Sequence, residues 1–257
     1  MNLVPRSFAA TMTLLLSACL GPMSAPTPMR YVDHPATVSP AKCLFVFLPG
    51  RGDRAETFEQ RGFVEALRKR SLSIDVRSAD ATFGYYTRGA FVERLATDVI
   101  APAKRRGYEE IWLVGPSMGG FGSLFYSRAH ADEITGALAI APFLGDLDVI
   151  EEIAQAGGLK QWRAPARAET VDRNNFEREL WRWLQAATQG KEKSPLLFVG
   201  YGTADRLSTA DALLAAELPP SHVFLTDGGH EWAAWRRVLD RFLDSPEFAS
   251  HCHARAP

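Results

Sequence analysis

The chain has 257 residues, 46% hydrophobic and 23% charged, which is enough apolar side chain for one large core and excludes a disordered chain. Its net charge of −1 provides no basic footprint, so nucleic acid is not an expected partner. The local clusters Arg68-Lys69-Arg70 and Lys104-Arg105-Arg106 end helix-like segments, where positive charge complements the helix dipole.

In chain order, the first segment is not expected to join the fold. Arg6 and the α-amino group precede the apolar run Phe8 to Ala18, which is too short to span a bilayer stably. Residues 1–18 therefore read as a signal peptide, and the protein as exported. Leu16-Ser17-Ala18-Cys19 resembles the bacterial lipobox, which implies a lipid on Cys19 and a membrane anchor; an ordinary secretory signal is the alternative. Leu20 in place of an aspartate resembles lipoproteins sorted to the outer membrane, facing the periplasm. Residues 19–39, rich in proline and small side chains, read as an extended tether to a domain at 40–247. In an oxidising compartment a Cys43–Cys252 disulfide is chemically allowed. A buried free thiol is the commoner outcome for a cysteine that opens an apolar strand, as Cys43 does. The tail at 248–257, with His251-Cys252-His253, reads as a frayed terminus with no second metal-ligating cluster.

From residue 43 onward, short apolar runs alternate with amphipathic segments. Strand-like runs fall at 43–48, 72–76, 111–115, 136–141, 196–201 and 222–226, most of them continuously apolar, as in a sheet buried on both faces. Helix-like segments fall at 57–70, at 88–107 with an interruption at Pro102, and at 231–244. The alternation predicts an α/β fold with a mostly parallel central sheet covered by helices on both sides. Only the interval of about 146–194 breaks the rhythm. It holds an acidic, glycine-containing stretch and a helix at 174–188, capped by Asn174 or Asn175, with Trp183 its more exposed tryptophan. It reads as an insertion or small lid, or as an ordinary crossover with a long loop.

Gly115-Pro116-Ser117-Met118-Gly119 has the form G-x-S-x-G, a pattern that recurs by chance in roughly one chain in ten of this composition. Its context is more telling, because Ser117 follows a strand-like run and precedes a helix-compatible one. A serine on so tight a turn projects its hydroxyl beyond the sheet, and its crowded flanks call for glycine. A hydroxyl is a weak nucleophile at neutral pH and needs a base, oriented in turn by an acid. Asp205 and His230 each follow a strand-like run, on the same edge as Ser117, which makes them the candidate acid and base. Asp146 and Asp148 are the alternatives for the acid, while Asp211 lies within a helix and Asp227 too near His230.

The motif, together with the chain order Ser, Asp, His, resembles the α/β-hydrolase superfamily from about residue 40 to residue 245. That resemblance implies an eight-stranded sheet, an insertion after the sixth strand (here 136–141), and no metal or organic cofactor. The first hairpin is not evident before residue 43, and its strands are either cryptic, around Tyr31 to Val38, or absent. The oxyanion hole would use the Met118 N–H and a donor from Pro49-Gly50-Arg51, which resembles the superfamily's HG-x turn with proline in place of the histidine. The matching donor is the Arg51 N–H, with Gly50 allowing close approach. The Arg51 side chain meets either a substrate anion or a surface carboxylate. Phe83, Tyr85, Tyr86, Phe121, Phe143 and Trp232 are candidates for an apolar pocket. The implied chemistry is hydrolysis of a small ester through an acyl-serine. A thioesterase or acyltransferase uses the same groups, and a non-catalytic binding lipoprotein is the rival of another class.

Overall fold

The computed structural model describes residues 24–38 and 40–252. Six parallel strands follow the apolar runs: β2 Cys43–Phe47, β3 Ile74–Ala79, β4 Glu110–Pro116, β5 Gly136–Ile140, β6 Leu196–Gly202 and β7 Val223–Thr226. β1, Tyr31–His34, joins β3 antiparallel at the sheet edge, giving the order β1-β3-β2-β4-β5-β6-β7. Seven strands thus form among the described residues where the resemblance implied eight. β1 also lies inside the segment read as a tether, which is therefore part of the sheet from Tyr31. An ion pair adds to the antiparallel ladder that holds it on β3. Asp33 stands opposite Arg77, and the fully buried Arg77 guanidinium donates to both Asp33 oxygens at 2.7 and 2.9 Å while lying 3.9 Å above the Tyr31 ring.

Helices cover both faces of the sheet. The segment expected as one helix at 57–70 is two, α1 Thr57–Gln60 and α2 Phe63–Lys69. Between them Gly62 takes φ 78°, in the left-handed region that a β-carbon disfavours, and its carbonyl accepts from Arg236 Nη1 at 2.7 Å. α3 Phe83–Thr87 precedes a continuous run made of α4 Phe91–Arg94, a π-helical turn Leu95–Ile100 and α5 Ala101–Arg105. Pro102 has no N–H for the helical ladder and its ring crowds the carbonyl four residues earlier; the wider turn just before it absorbs both. α6 Met118–Ala129 follows β4 directly.

Between β5 and β6 the chain forms α7 Leu147–Gln155 and α8 Phe176–Thr188, and the segment joining them is tied down. Trp181 Nε1 donates to the Leu144 carbonyl at 2.7 Å, and Gln185 Nε2 donates to the Leu159 and Trp162 carbonyls. Glu179 accepts from Ala168 N–H, Arg128 and Arg182. Trp183, expected to be the exposed one, is 1% exposed. Asn175 occupies the N-cap position, but its side chain serves the loop behind it, accepting from Asp172 N–H and donating to the Thr170 carbonyl.

α9 Ser208–Ala215 links β6 to β7, and α10 Trp232–Leu243 covers the far end of the sheet with Trp235, Val238, Leu239 and Phe242 inward. The tail corrects two expectations. α11 Pro246–Ala249 packs Phe248 against Phe45, Trp112 and Phe242, and Cys252 forms a disulfide with Cys43. Glu110, opposite Cys43 in the sheet, accepts from Cys252 N–H and pairs with His251 Nδ1. The terminus is thereby anchored through residue 252, and the pair is not a buried free thiol. Cys19 and the segment 1–18 lie outside the described residues.

Candidate active site

β4 ends at Pro116 and α6 begins at Met118, so Ser117 alone makes the turn. It does so at φ 54° and ψ −117°, a costly conformation for a residue with a side chain. The neighbouring glycines are sterically required. A β-carbon on Gly115 would stand 2.4 Å from the Gly119 carbonyl carbon, and one on Gly119 only 1.9 Å from the Leu48 oxygen. This close approach of α6 to the turn after β2 lets the strained serine face the sheet's carboxyl edge.

Asp205 and His230 reach the same edge from the loops after β6 and β7. His230 Nε2 lies 2.9 Å from Ser117 Oγ, and Nδ1 lies 2.9 to 3.0 Å from both oxygens of Asp205. With Nδ1–H donating to the carboxylate, Nε2 carries no proton and accepts the Ser117 O–H. The Asp205 side chain is fully buried, and one of its oxygens also accepts Leu207 N–H at 2.9 Å. Trp235 sets the plane of the imidazole, edge to face at 4.9 Å. Of the alternative acids, Asp146 is the N-cap residue of α7 and Asp148 pairs with Arg178, so the carboxylate at His230 is Asp205.

Met118 N–H is the first amide of α6, one of the donors for which a helix has no internal acceptor. The turn holding Gly50 and Arg51 passes beside it. A β-carbon on Gly50 would lie 3.8 Å from that of Ser117, and Asp53 N–H closes the turn onto the Gly50 carbonyl at 3.1 Å. The Arg51 side chain is exposed and lies 4.7 Å over the Phe83 ring.

A cavity of about 730 Å³ opens beside the serine, with Met118 and Phe143 in its wall. Phe143 N–H donates to the Ser117 carbonyl at 3.1 Å, so the wall is continuous with the elbow. Of the expected aromatic residues, Phe83, Tyr86, Phe121 and Phe143 line it. Tyr85 and Trp232 do not. Tyr85 is buried with its hydroxyl donating to the Pro26 carbonyl at 2.5 Å, and Trp232 packs on Phe58 and Phe63. Sequence reasoning missed Phe91, Phe125 and Phe176, although Phe125 stands one helical turn beyond Phe121 and stacks on it at 5.1 Å. It also set aside Asp211, whose carboxyl is 0% exposed with neither oxygen hydrogen-bonded among the described residues. Burial, and then the nearby charge of Asp205, push the Asp211 carboxyl well above the usual carboxylate range.

No family model matches the chain, and no curated protein is similar to it in sequence. Solved structures are similar in shape. An S-formylglutathione hydrolase from Agrobacterium tumefaciens aligns with a TM-score of 0.55 at 14% identity, over 88% of this chain and 90% of that one. A ferulic acid esterase gives 0.56 at 16%, covering 80% and 84%. The S-formylglutathione hydrolase of Staphylococcus aureus gives 0.52 at 17%, covering 80% and 81%. Identities this low speak for architecture alone, and together with the parallel sheet and the serine turn they establish that this chain has the α/β-hydrolase fold.

Proposed function

We propose that the protein is a serine hydrolase that cleaves carboxylic esters through Ser117, His230 and Asp205. The observation that carries this reading is the unbroken hydrogen-bond chain from a buried carboxylate through an imidazole to a serine held at φ 54°. His230 Nε2 takes the Ser117 proton as Oγ attacks the ester carbonyl, and Asp205 offsets the charge of the imidazolium. The Met118 and Arg51 amides receive the oxyanion, with Gly50 giving the main chain room to approach. Collapse expels the alcohol, which takes the proton from His230. Water, deprotonated by the same imidazole, then releases the acid from the acyl-serine. The esterase names among the structural neighbours support the reaction class.

A fluorophosphonate probe tests this directly. Wild type is expected to label and to hydrolyse short aryl esters. Ser117→Ala should abolish labelling, while His230→Ala and Asp205→Asn should slow both activities by about a thousandfold or more. A folded wild type that neither labels nor turns over any ester would leave only a binding role.

We also propose that the protein is exported and anchored through a lipid on Cys19, at the outer membrane facing the periplasm. The lipobox-like Leu16-Ser17-Ala18-Cys19 supports this, as does the Cys43–Cys252 bond, which suits an oxidising compartment. Mass spectrometry of the envelope-extracted protein should find a diacylglyceryl group on an N-terminal Cys19. An unmodified Cys19, or a chain retaining residues 1–18, contradicts the anchor.

A further inference from the structure

We propose that the short chain between a lipid on Cys19 and the domain holds the mouth of the cavity against the membrane, and that the substrate is an ester of a lipid in that same bilayer, its apolar chain entering the cavity beside Ser117. The proposal rests on both readings above, Ser117 as the nucleophile of an ester hydrolase and Cys19 as the anchor. It adds the chemical class of the substrate and the surface on which it is met.

The sheet decides where the N-terminal chain emerges. β1 runs antiparallel, with Tyr31 opposite Ala79, the last residue of β3, so the chain before β1 lies at the carboxyl edge with Ser117, Asp205 and His230. That chain is fastened to the domain. Met29 is buried and its N–H donates to Asp98 Oδ2 at 2.6 Å, and Asp80 N–H donates to the Arg30 carbonyl at 2.8 Å. Nearer the terminus, the Pro26 carbonyl accepts from the Tyr85 hydroxyl and the Ser24 carbonyl from Thr82 Oγ1. Thr82 is the N-cap residue of α3, and Phe83, Tyr86 and Thr87 of that helix line the cavity. Ser24 therefore rests on the element that walls the cavity. It is the fifth residue after Cys19, and five residues at full extension span at most about 18 Å. A domain of this length is roughly 45 Å across. The opposite edge of the sheet thus cannot lie on the bilayer without lifting Ser24 beyond the reach of the anchor. Leu147 adds an apolar contact on the membrane side. It begins α7 shortly after the cavity residue Phe143, at the same edge, and at 75% it is the most exposed large apolar side chain among the described residues. The cavity, about 730 Å³ and walled mostly by aromatic rings and aliphatic side chains, has room for an acyl chain. Esters with chains suited to such a wall partition into membranes and out of water. Hydrolysis adds one water across the acyl–oxygen bond and releases a fatty acid and the lipid's free hydroxyl, so no further reactant is needed.

The test uses the full lipidated chain in vesicles of phosphatidylethanolamine, phosphatidylglycerol and monooleoylglycerol, with p-nitrophenyl acetate as the soluble ester. Wild type is expected to float with the vesicles, to cleave the acetate and to release fatty acid from the bilayer. A Gly-Ser insertion of about twenty residues between Met23 and Ser24 frees the domain to turn. It should lower fatty-acid release about fivefold or more and leave acetate hydrolysis unchanged. Independently of that variant, a dye carried to Ser117 by a fluorophosphonate should be quenched in wild type by a short-range nitroxide on the lipid headgroup. Failure to float defeats the anchor, and this inference with it. Floating protein that cleaves neither ester and takes no label defeats the esterase reading, and again this inference with it. Protein that floats and cleaves the acetate, yet releases no fatty acid, leaves the dye unquenched or works equally well on the longer tether, defeats this inference alone.

Discussion

At the scale of single residues, the site separates two carboxyls by their surroundings. Asp205 is buried but fully engaged, by the imidazole and by the Leu207 amide, so its charge is matched. Asp211 lies within the field of Asp205 with no hydrogen bond to either oxygen among the described residues, and its charged form is disfavoured. The consequence is a stability that depends on pH with a definite sign. Once the pH rises above the ordinary carboxylate pKa of about 3.9, the unfolded chain releases this proton while the folded chain keeps it. The native state then binds more protons than the unfolded state, so this group's contribution falls as pH rises, by at most about 1.4 kcal/mol per pH unit, until the raised folded pKa is passed. Asp211→Asn cannot ionise and lacks that slope. Urea unfolding between pH 5 and pH 8 should therefore show the variant gaining on wild type as pH rises. Parallel curves would mean that Asp211 is ionised and partnered in the folded protein.

At the scale of elements, legibility followed the origin of the forces. The six parallel strands read directly because both sheet faces bury them, and runs such as Cys43–Phe47 contain nothing polar. The strand–turn–helix around Ser117 read equally well, since only glycines fit where α6 meets the Leu48 carbonyl. β1 had only a weak hydropathy signal because it is short and mostly half-exposed, and it carries Asp33, paired with Arg77, where the other strands carry apolar side chains. The break in the first helix turned on one φ angle at Gly62, which in sequence is an ordinary glycine inside an amphipathic pattern. The cavity was half legible. Residues from α3 and α6 adjoin recognisable landmarks, but Phe176 and Arg173 reach it only because the crossover between β5 and β6 folds back, a long-range event with no local signal. Trp183 shows the same limit, since its burial depends on where the tied-down crossover packs.

At the scale of the whole molecule, the structure places its covalent tie and its candidate active site at opposite ends of the sheet. Cys43 begins β2 beside Glu110, which begins β4, so the disulfide sits at the amino edge of the parallel strands. Ser117 follows the last residue of β4, and Asp205 and His230 follow β6 and β7, all at the carboxyl edge. The bond spans 209 residues and encloses nearly the whole domain, so cutting it frees the unfolded chain while leaving the far edge's hydrogen bonds in place. Removing a native disulfide typically costs about 2–5 kcal/mol, and a loop this long puts the loss toward the upper end. The double variant Cys43→Ser with Cys252→Ser should therefore melt several degrees lower in calorimetry, yet label with a fluorophosphonate at close to the wild-type rate below its transition. Equal melting temperatures would mean that the packing of Phe248 on Phe45 and Trp112 already fixes the tail, and the bond adds nothing. A large loss of labelling in a folded variant would instead mean that the two edges are coupled through the sheet, with strain at β2 reaching the Leu48 carbonyl and the serine turn packed against it.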